Sequence, residues 1–192
     1  MSVLDRKQRE RAERERLIVA TARELAEQQG WDAVTTRRLA ERIEYSQPVL
    51  YSHFRGKREI IGAVALEAAA DMAAAARAAA AGVNGPRERV AALARAYLDF
   101  AERNPAVYDA MFRLDGGLAF AQEDTPEPLK DAFAALLESL GEVAGDGVDP
   151  GLFTEVFWAS LHGLATLTRA GRLPPEETEV RAELLVDRLA VF

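Results

Sequence analysis

The run SQPVLYSHFRGKREI, residues 46–60, gathers an unusual set of donors. It holds hydroxyls at Ser46 and Ser52, a carboxamide at Gln47, polar-tipped rings at Tyr51 and His53, and cations at Arg55, Lys57 and Arg58. Hydroxyl, ring N–H and ammonium groups suit anionic oxygens, and a carboxamide can pair with the polar edge of a flat heterocycle. The chain offers little else that could do chemistry. Cysteine is absent, and the two histidines are His53 and His162. A di-iron bundle would need Glu-x-x-His pairs, but the residues three before the histidines are Leu50 and Ala159. No phosphate loop, dinucleotide fingerprint or nucleophile triad occurs. An enzyme is not expected, and neither is a metal or cofactor.

Charge is distributed unevenly over the 192 residues. The net charge is -7, yet residues 1–60 hold 13 Lys+Arg against 10 Asp+Glu, a balance of +3, while residues 61–192 hold 11 against 21, a balance of -10. Such asymmetry suggests that the first part meets a polyanion and the second does not. The absence of cysteine fits a reducing compartment. No apolar run near the start resembles a secretory signal, so a cytoplasmic protein is expected. The alanine-rich stretch 60–82 could be mistaken for a membrane span. Glu67, Asp71 and Arg77 interrupt it, and alanine is a helix former more than an apolar anchor, so the stretch reads as a long soluble helix with no membrane role.

The elements that must position the opening cluster are helical throughout. Leu17, Ala20, Thr21, Leu25 and Ala26 recur at helical spacing between Asp5 and Gln29, and Gly30 closes that helix. Thr35 can N-cap a second helix through about Ile43. After a turn at Glu44 and Tyr45, Ser46 begins a third, with Pro48 tolerated in its first turn and Gly56 at its end. Leu50 and Phe54 face its buried side. Further helices are expected over about 57–81, 86–103, 106–114, 129–143 and 152–170, and from the GRLPPEE turn to near Phe192. A loop covers 115–128. No strand pattern competes. The fold class is all-α, with about nine helices. A three-helix domain (1–56) precedes a larger helical domain (57–192).

Two short helices joined by a tight turn, with a third before them, make a helix-turn-helix. The second helix of that pair enters the DNA major groove by its N-terminal residues, here Ser46, Gln47, Pro48 and Val49. Gln47 can pair with an adenine edge, and Val49 or Pro48 can touch a thymine methyl. Tyr51, Ser52 and His53 are expected on the outward side, against phosphate oxygens. Lys57 in the first turn of the fourth helix suits another phosphate. Thr35, which caps the second helix, is a candidate for DNA binding with Thr36 and Arg37, the latter two through backbone contacts. The run RKQRERAERER is either a solvated helix face with i,i+4 ion pairs or an arm whose Arg6, Lys7 and Arg9 reach DNA.

The stretch TTRRLAERIEYSQPVLYSHFRGKREI closely resembles the DNA-binding region of TetR-family transcriptional regulators, through Thr35, Leu39, Ala40, Ser46, Leu50, Tyr51, His53, Phe54 and Lys57. The resemblance covers roughly residues 12–61. One departure stands out: the family usually has glycine where this chain has Glu44, because the turn often needs positive φ. Glu44 must adopt that conformation or the turn must shift. Farther on, ERNPAVYDAMF and WASLHGLATL resemble a subgroup with a Trp–His–Gly pattern, here Trp158, His162 and Gly163.

The resemblance implies a ligand-responsive regulator, a repressor that binds a palindromic operator as a homodimer. The interface would come from the last two helices, for which Leu161, Leu164 and Leu167 and then Leu184, Leu185, Leu189 and Val191 are candidates. A small-molecule effector would move the fourth helix. Tyr97, Phe100, Tyr108, Met111, Phe112, Phe157, Trp158 and His162 either line its pocket or are plain core, and His162 is either a hydrogen-bonded structural residue or a ligand contact. A pocket of this composition favours an apolar or aromatic ligand. The alternative is a helix-turn-helix protein that binds DNA without an effector, in an architectural role.

Overall fold

A computed structural model describes residues 3–190; Val191 lies outside the described residues. Among the described residues nine α-helices follow one another: α1 Val3–Gln29, α2 Thr36–Arg42, α3 Gln47–Tyr51, α4 Lys57–Ala80, α5 Pro86–Arg103, α6 Pro105–Phe112, α7 Glu127–Leu140, α8 Pro150–Arg169 and α9 Thr178–Leu189. Short 3-10 turns at Trp31–Ala33 and Pro175–Glu177 complete the order. None of these helices is long and apolar enough to cross a membrane.

Local chemistry sets most of the boundaries. Gly30 ends α1 at φ 78°, a conformation only glycine adopts freely. The Thr35 side chain accepts a hydrogen bond from the Arg38 N–H, capping α2, and Asp149 does the same for Leu152 at the start of α8. Proline stands in the first turn of α3, α6 and α8, where its missing N–H leaves nothing unsatisfied. The third helix is shorter than its sequence suggests. It stops at Tyr51, and Ser46 supplies no side-chain cap bond.

The chain divides into two compact units, Met1–Ala68 with Asn104–Pro126, and Ala69–Arg103 with Glu127–Phe192. The first unit contains α1 to α3, the first half of α4, and α6 with the loop after it. Its core is built on Ile18, Leu25, Val34, Leu39, Leu50, Ile60 and Val64, with Val107 and Tyr108 from α6. Helix α6 belongs to this unit because α1 holds it by polar contacts. The Ala106 and Val107 N–H groups donate to the Glu27 carboxylate at 3.2 and 2.9 Å, so a residue of α1 caps the start of α6. The Trp31 indole N–H donates to the Ala106 carbonyl at 2.7 Å. The loop after α6 is tied to α4. Arg58 donates to Asp115 at 3.0 Å, which with the Gly117 N–H holds the Asp115 carboxyl below its ordinary range. Beside this pair the backbones of Gly62 and Gly116 meet directly.

The second unit packs α5, α7, α8, α9 and the rest of α4. Val90, Leu93, Ala94, Tyr97 and Phe100 recur at three- and four-residue spacing on α5 and are buried with Leu140, Phe157, Leu161 and Val186. Arg77 of α4 makes a two-pronged contact with Asp131 of α7 at 2.9 and 2.6 Å.

The turn between α2 and α3 resolves the question raised by Glu44. The Tyr45 N–H donates to the Ala40 carbonyl and the Glu44 N–H to the Glu41 carbonyl, the paired bonds of a Schellman termination. Glu44 occupies its left-handed position at φ 57°. A side chain there costs about 1 kcal/mol. Glu44→Gly is therefore expected to stabilise the protein by about 0.5 kcal/mol, less than the full strain because glycine also frees the unfolded chain. Urea unfolding would show an unchanged or lower midpoint if the turn carried no strain.

Candidate functional site

Three helices assemble the surface anticipated from the sequence. Leu39 and Ala40 of α2 and Leu50 of α3 are buried, and burying them turns the other faces outward. Ser46, Gln47, Pro48 and Val49 are all exposed, forming the free first turn of α3. Tyr51 is 50% exposed, and its hydroxyl lies 3.2 Å from that of Thr36, so α2 and α3 are joined at the surface. Thr35 is exposed beside them, with its hydroxyl oxygen engaged as the α2 cap. Arg37 extends into solvent and pairs with Glu41 at 2.9 Å. An exposed pair of this kind contributes little to stability and yields readily to a phosphate.

Three residues are placed differently from expectation. Ser52 lies past the end of α3, and its hydroxyl donates to the Val49 carbonyl at 2.6 Å. His53 does not face outward. Its side chain is 4% exposed, with Nδ1 3.2 Å from Glu15 Oε1 of α1. The cause is spacing: His53 follows the buried Leu50 by three positions and so shares its inward side, against α1. Lys57 opens α4 as expected, but it is half-buried and its ammonium donates to the Trp31 carbonyl. An ammonium has three donors, so this bond aims the side chain without exhausting it. The basic run is helical, with Arg6–Glu10 at 3.5 Å and Arg11–Glu15 at 2.9 Å, which is the ion-paired helix face.

Sequence reasoning missed Glu27, Trp31 and the contact of Glu15 with His53. Trp31 carried a usable signal: a tryptophan in a short link must find a partner for its indole N–H. Glu27 and the His53 contact of Glu15 carried none, since their partners lie 79 and 38 residues away.

The aromatic candidates fall in both units. In the first, Tyr108 and Met111 are buried on α6, and the Tyr108 and Phe112 rings sit 4.7 Å apart at 55°. In the second, Phe157 is fully buried, Phe100 and Tyr97 are buried, and the half-buried Trp158 and His162 join Tyr97 in a polar chain. The Trp158 indole donates to the Tyr97 hydroxyl at 3.2 Å. That hydroxyl stands 3.5 Å from His162 Nδ1, and the Thr166 hydroxyl stands 3.4 Å from Nε2. Because Tyr97 accepts from the indole, its own proton suits Nδ1, and Nε2–H then faces Thr166. This arrangement wants a neutral ring.

Burial also lowers the His162 pKa, and the sign of the effect on stability follows. The unfolded chain titrates near 6.5 and takes up a proton before the folded one, so stability falls as pH drops through that value. His162→Gln is expected to flatten the dependence of Tm on pH between about 7 and 5. An unchanged slope would mean that the ring titrates alike in both states.

Comparison with known proteins agrees with this geometry. The family model "Bacterial regulatory proteins, tetR family" matches residues 18–64, and "Tetracyclin repressor-like, C-terminal domain" matches residues 90–189. An uncharacterised HTH-type transcriptional regulator of Mycobacterium tuberculosis is 27% identical over 176 residues, covering 90% of this chain and 78% of that protein. The class C tetracycline repressor protein of Escherichia coli is 48% identical over 48 residues, which is 25% of this chain and 22% of the repressor. A Rhodococcus sp. RHA1 protein of unknown function has the same fold, with a TM-score of 0.76 and 25% identity over 92% of this chain and 93% of that one. The two family matches together span the exposed α2–α3 surface and more than half of the chain, and the chain belongs to the TetR family of DNA-binding transcriptional regulators, which are not enzymes.

Proposed function

We propose that this regulator is a ligand-responsive repressor that binds a palindromic operator as a homodimer and is released by a small, largely apolar effector. The observation that carries the reading is the free first turn of α3, with Ser46, Gln47, Pro48 and Val49 all exposed while Leu50 is buried. Gln47 reads a base edge, Val49 and Pro48 contact a thymine methyl, and Thr36, Arg37, Tyr51 and Lys57 position the protein on phosphates. Residues 1–56 form the DNA-binding part, and 57–192 bind the effector and the second copy. The protein acts in the cytoplasm beside its operator.

Dimerisation has support in exposed apolar side chains. Leu152, Val156 and Leu167 lie along one face of α8, and Val180 and Leu184 along one face of α9. These differ in part from the residues singled out in the sequence. Leu161 is fully buried in its own unit and lies on the opposite side of α8. The effector reading rests on the aromatic cluster of the second unit, where Tyr97, Phe100 and Phe157 are buried and Trp158 and His162 half-buried. A site with few polar tips selects an apolar or aromatic ligand.

Selection of bound duplexes from a random pool at near-physiological salt tests the reading. The expected result is a palindrome with half-sites about one helical turn apart. Gln47→Ala should relax preference at one base position by about 1–3 kcal/mol. Apolar compounds should then release the operator duplex, as any ligand favouring the unbound state must. A palindrome that no compound releases would favour the effector-independent alternative. Weak binding erased by salt, with no motif, would sink sequence-specific regulation.

A further inference from the structure

We propose that Glu15 of α1 sets the sequence specificity of the DNA surface, by holding the end of α3 and by withholding Arg11 and the His53 ring from phosphate. The inference rests on α3 being the reading helix, as above. That helix is five residues long and buries Leu50 alone. So short a helix cannot fix its own roll or tilt, and its pose must come from what grips it.

The grip comes from α1. Glu15 Oε1 accepts from Arg11 Nε–H at 2.9 Å and stands 3.2 Å from His53 Nδ1. Arg11 in turn donates from Nη2 to the Ser52 carbonyl at 3.3 Å. One carboxylate and one guanidinium therefore hold the two residues that follow α3, one through its side chain and the other through its backbone. The His53 ring, 4% exposed, cannot reach a phosphate while it stays on Glu15. Arg11, 58% exposed, spends part of its charge on the same carboxylate.

Two consequences follow at the DNA surface. A carboxylate 37% exposed beside a phosphate-binding edge repels any duplex regardless of sequence. The same carboxylate keeps the base-reading turn in one orientation. Non-specific binding is weakened while specific binding is kept, and the ratio between them is what a regulator needs. Glu15 is a positioning residue and touches no base.

Glu15→Gln keeps the size and removes the charge. Affinity for a random duplex is expected to rise several-fold, and affinity for the selected operator to stay level or fall. The ratio should shrink about tenfold, and the plot of log K against log salt should steepen by about one unit as Arg11 turns to phosphate. The double variant Glu15→Gln, Arg11→Gln should lose the extra slope. Tm of each variant is measured alongside, and circular dichroism checks that each is folded. If both affinities fell together with Tm at a constant ratio, Glu15 would be merely structural and the proposal overturned. If Gln47→Ala left base preference untouched, the reading of α3 itself would fall, and this proposal with it. If Gln47→Ala relaxed preference while Glu15→Gln changed neither ratio nor slope, only the proposal on Glu15 would fall.

Discussion

A glutamate in place of Val156 is expected to convert the protein to a monomer and to lower operator affinity by about 100-fold or more. Val156 is 55% exposed on α8, one turn from Leu152 at 61%, and Leu184 on α9 is 56% exposed. Side chains this apolar at helical spacing on two helices form a face that water solvates poorly. In a two-fold interface each substitution enters twice, so a carboxylate near the axis meets its own copy as well as losing its hydration. The proposed palindromic operator would then see two independent monomers, and the tethering that links two half-site contacts, worth about 10²–10⁴ in affinity, would disappear. Leu184→Glu should act in the same direction. Sedimentation at micromolar concentration and operator titration read the two effects together. A variant that stays dimeric would place the interface elsewhere. A monomer with unchanged affinity would sink the bivalent mode of binding.

Gly62→Ala is expected to destabilise the protein by about 2 kcal/mol, although alanine ordinarily improves a helix. A Cβ on Gly62 would stand 2.5 Å from the Gly116 carbonyl oxygen, and one on Gly116 would stand 2.8 Å from the Gly62 Cα. Both obstacles are backbone, which cannot swing aside as a flexible side chain does. The overpacking cost of about 1–3 kcal/mol therefore exceeds the helix gain of about 1 kcal/mol at its upper end, and at this size Tm falls by about 4–8 °C. The contact also fixes the first turns of α4, which begin at Lys57, together with the Arg58–Asp115 pair. Operator affinity should consequently fall, because the Lys57 contact is displaced from its phosphate. An unchanged Tm would show that the loop after α6 yields at no cost.

Much of the fold was legible because it is written in neighbouring residues. Thr35, Asp149, Gly30 and the prolines of α3, α6 and α8 mark helix ends through bonds no longer than one helical turn. The amphipathic spacing of α5 is read the same way. The motif around Ser46 to Lys57 led to the exposed first turn of α3, since which of its residues face outward follows from Leu50 facing in. Helix α8 shows where such reading stops. It is apolar on two sides, and period alone cannot say that Leu161 belongs to its own core while Val156 faces out.

The sequence by itself determined an all-helical chain, a helix-turn-helix near its start and the residue types that could meet a duplex. Tertiary structure decided how those residues are held. His53 turned to Glu15, 38 residues away, and Lys57 to the carbonyl of Trp31, 26 residues away. Glu27 became the cap of a helix 80 residues downstream. Propensity, capping and periodicity act over three or four positions and survive in any context. A carboxylate's partner is fixed by where packing of the core brings distant segments together, and no spacing in the chain encodes it.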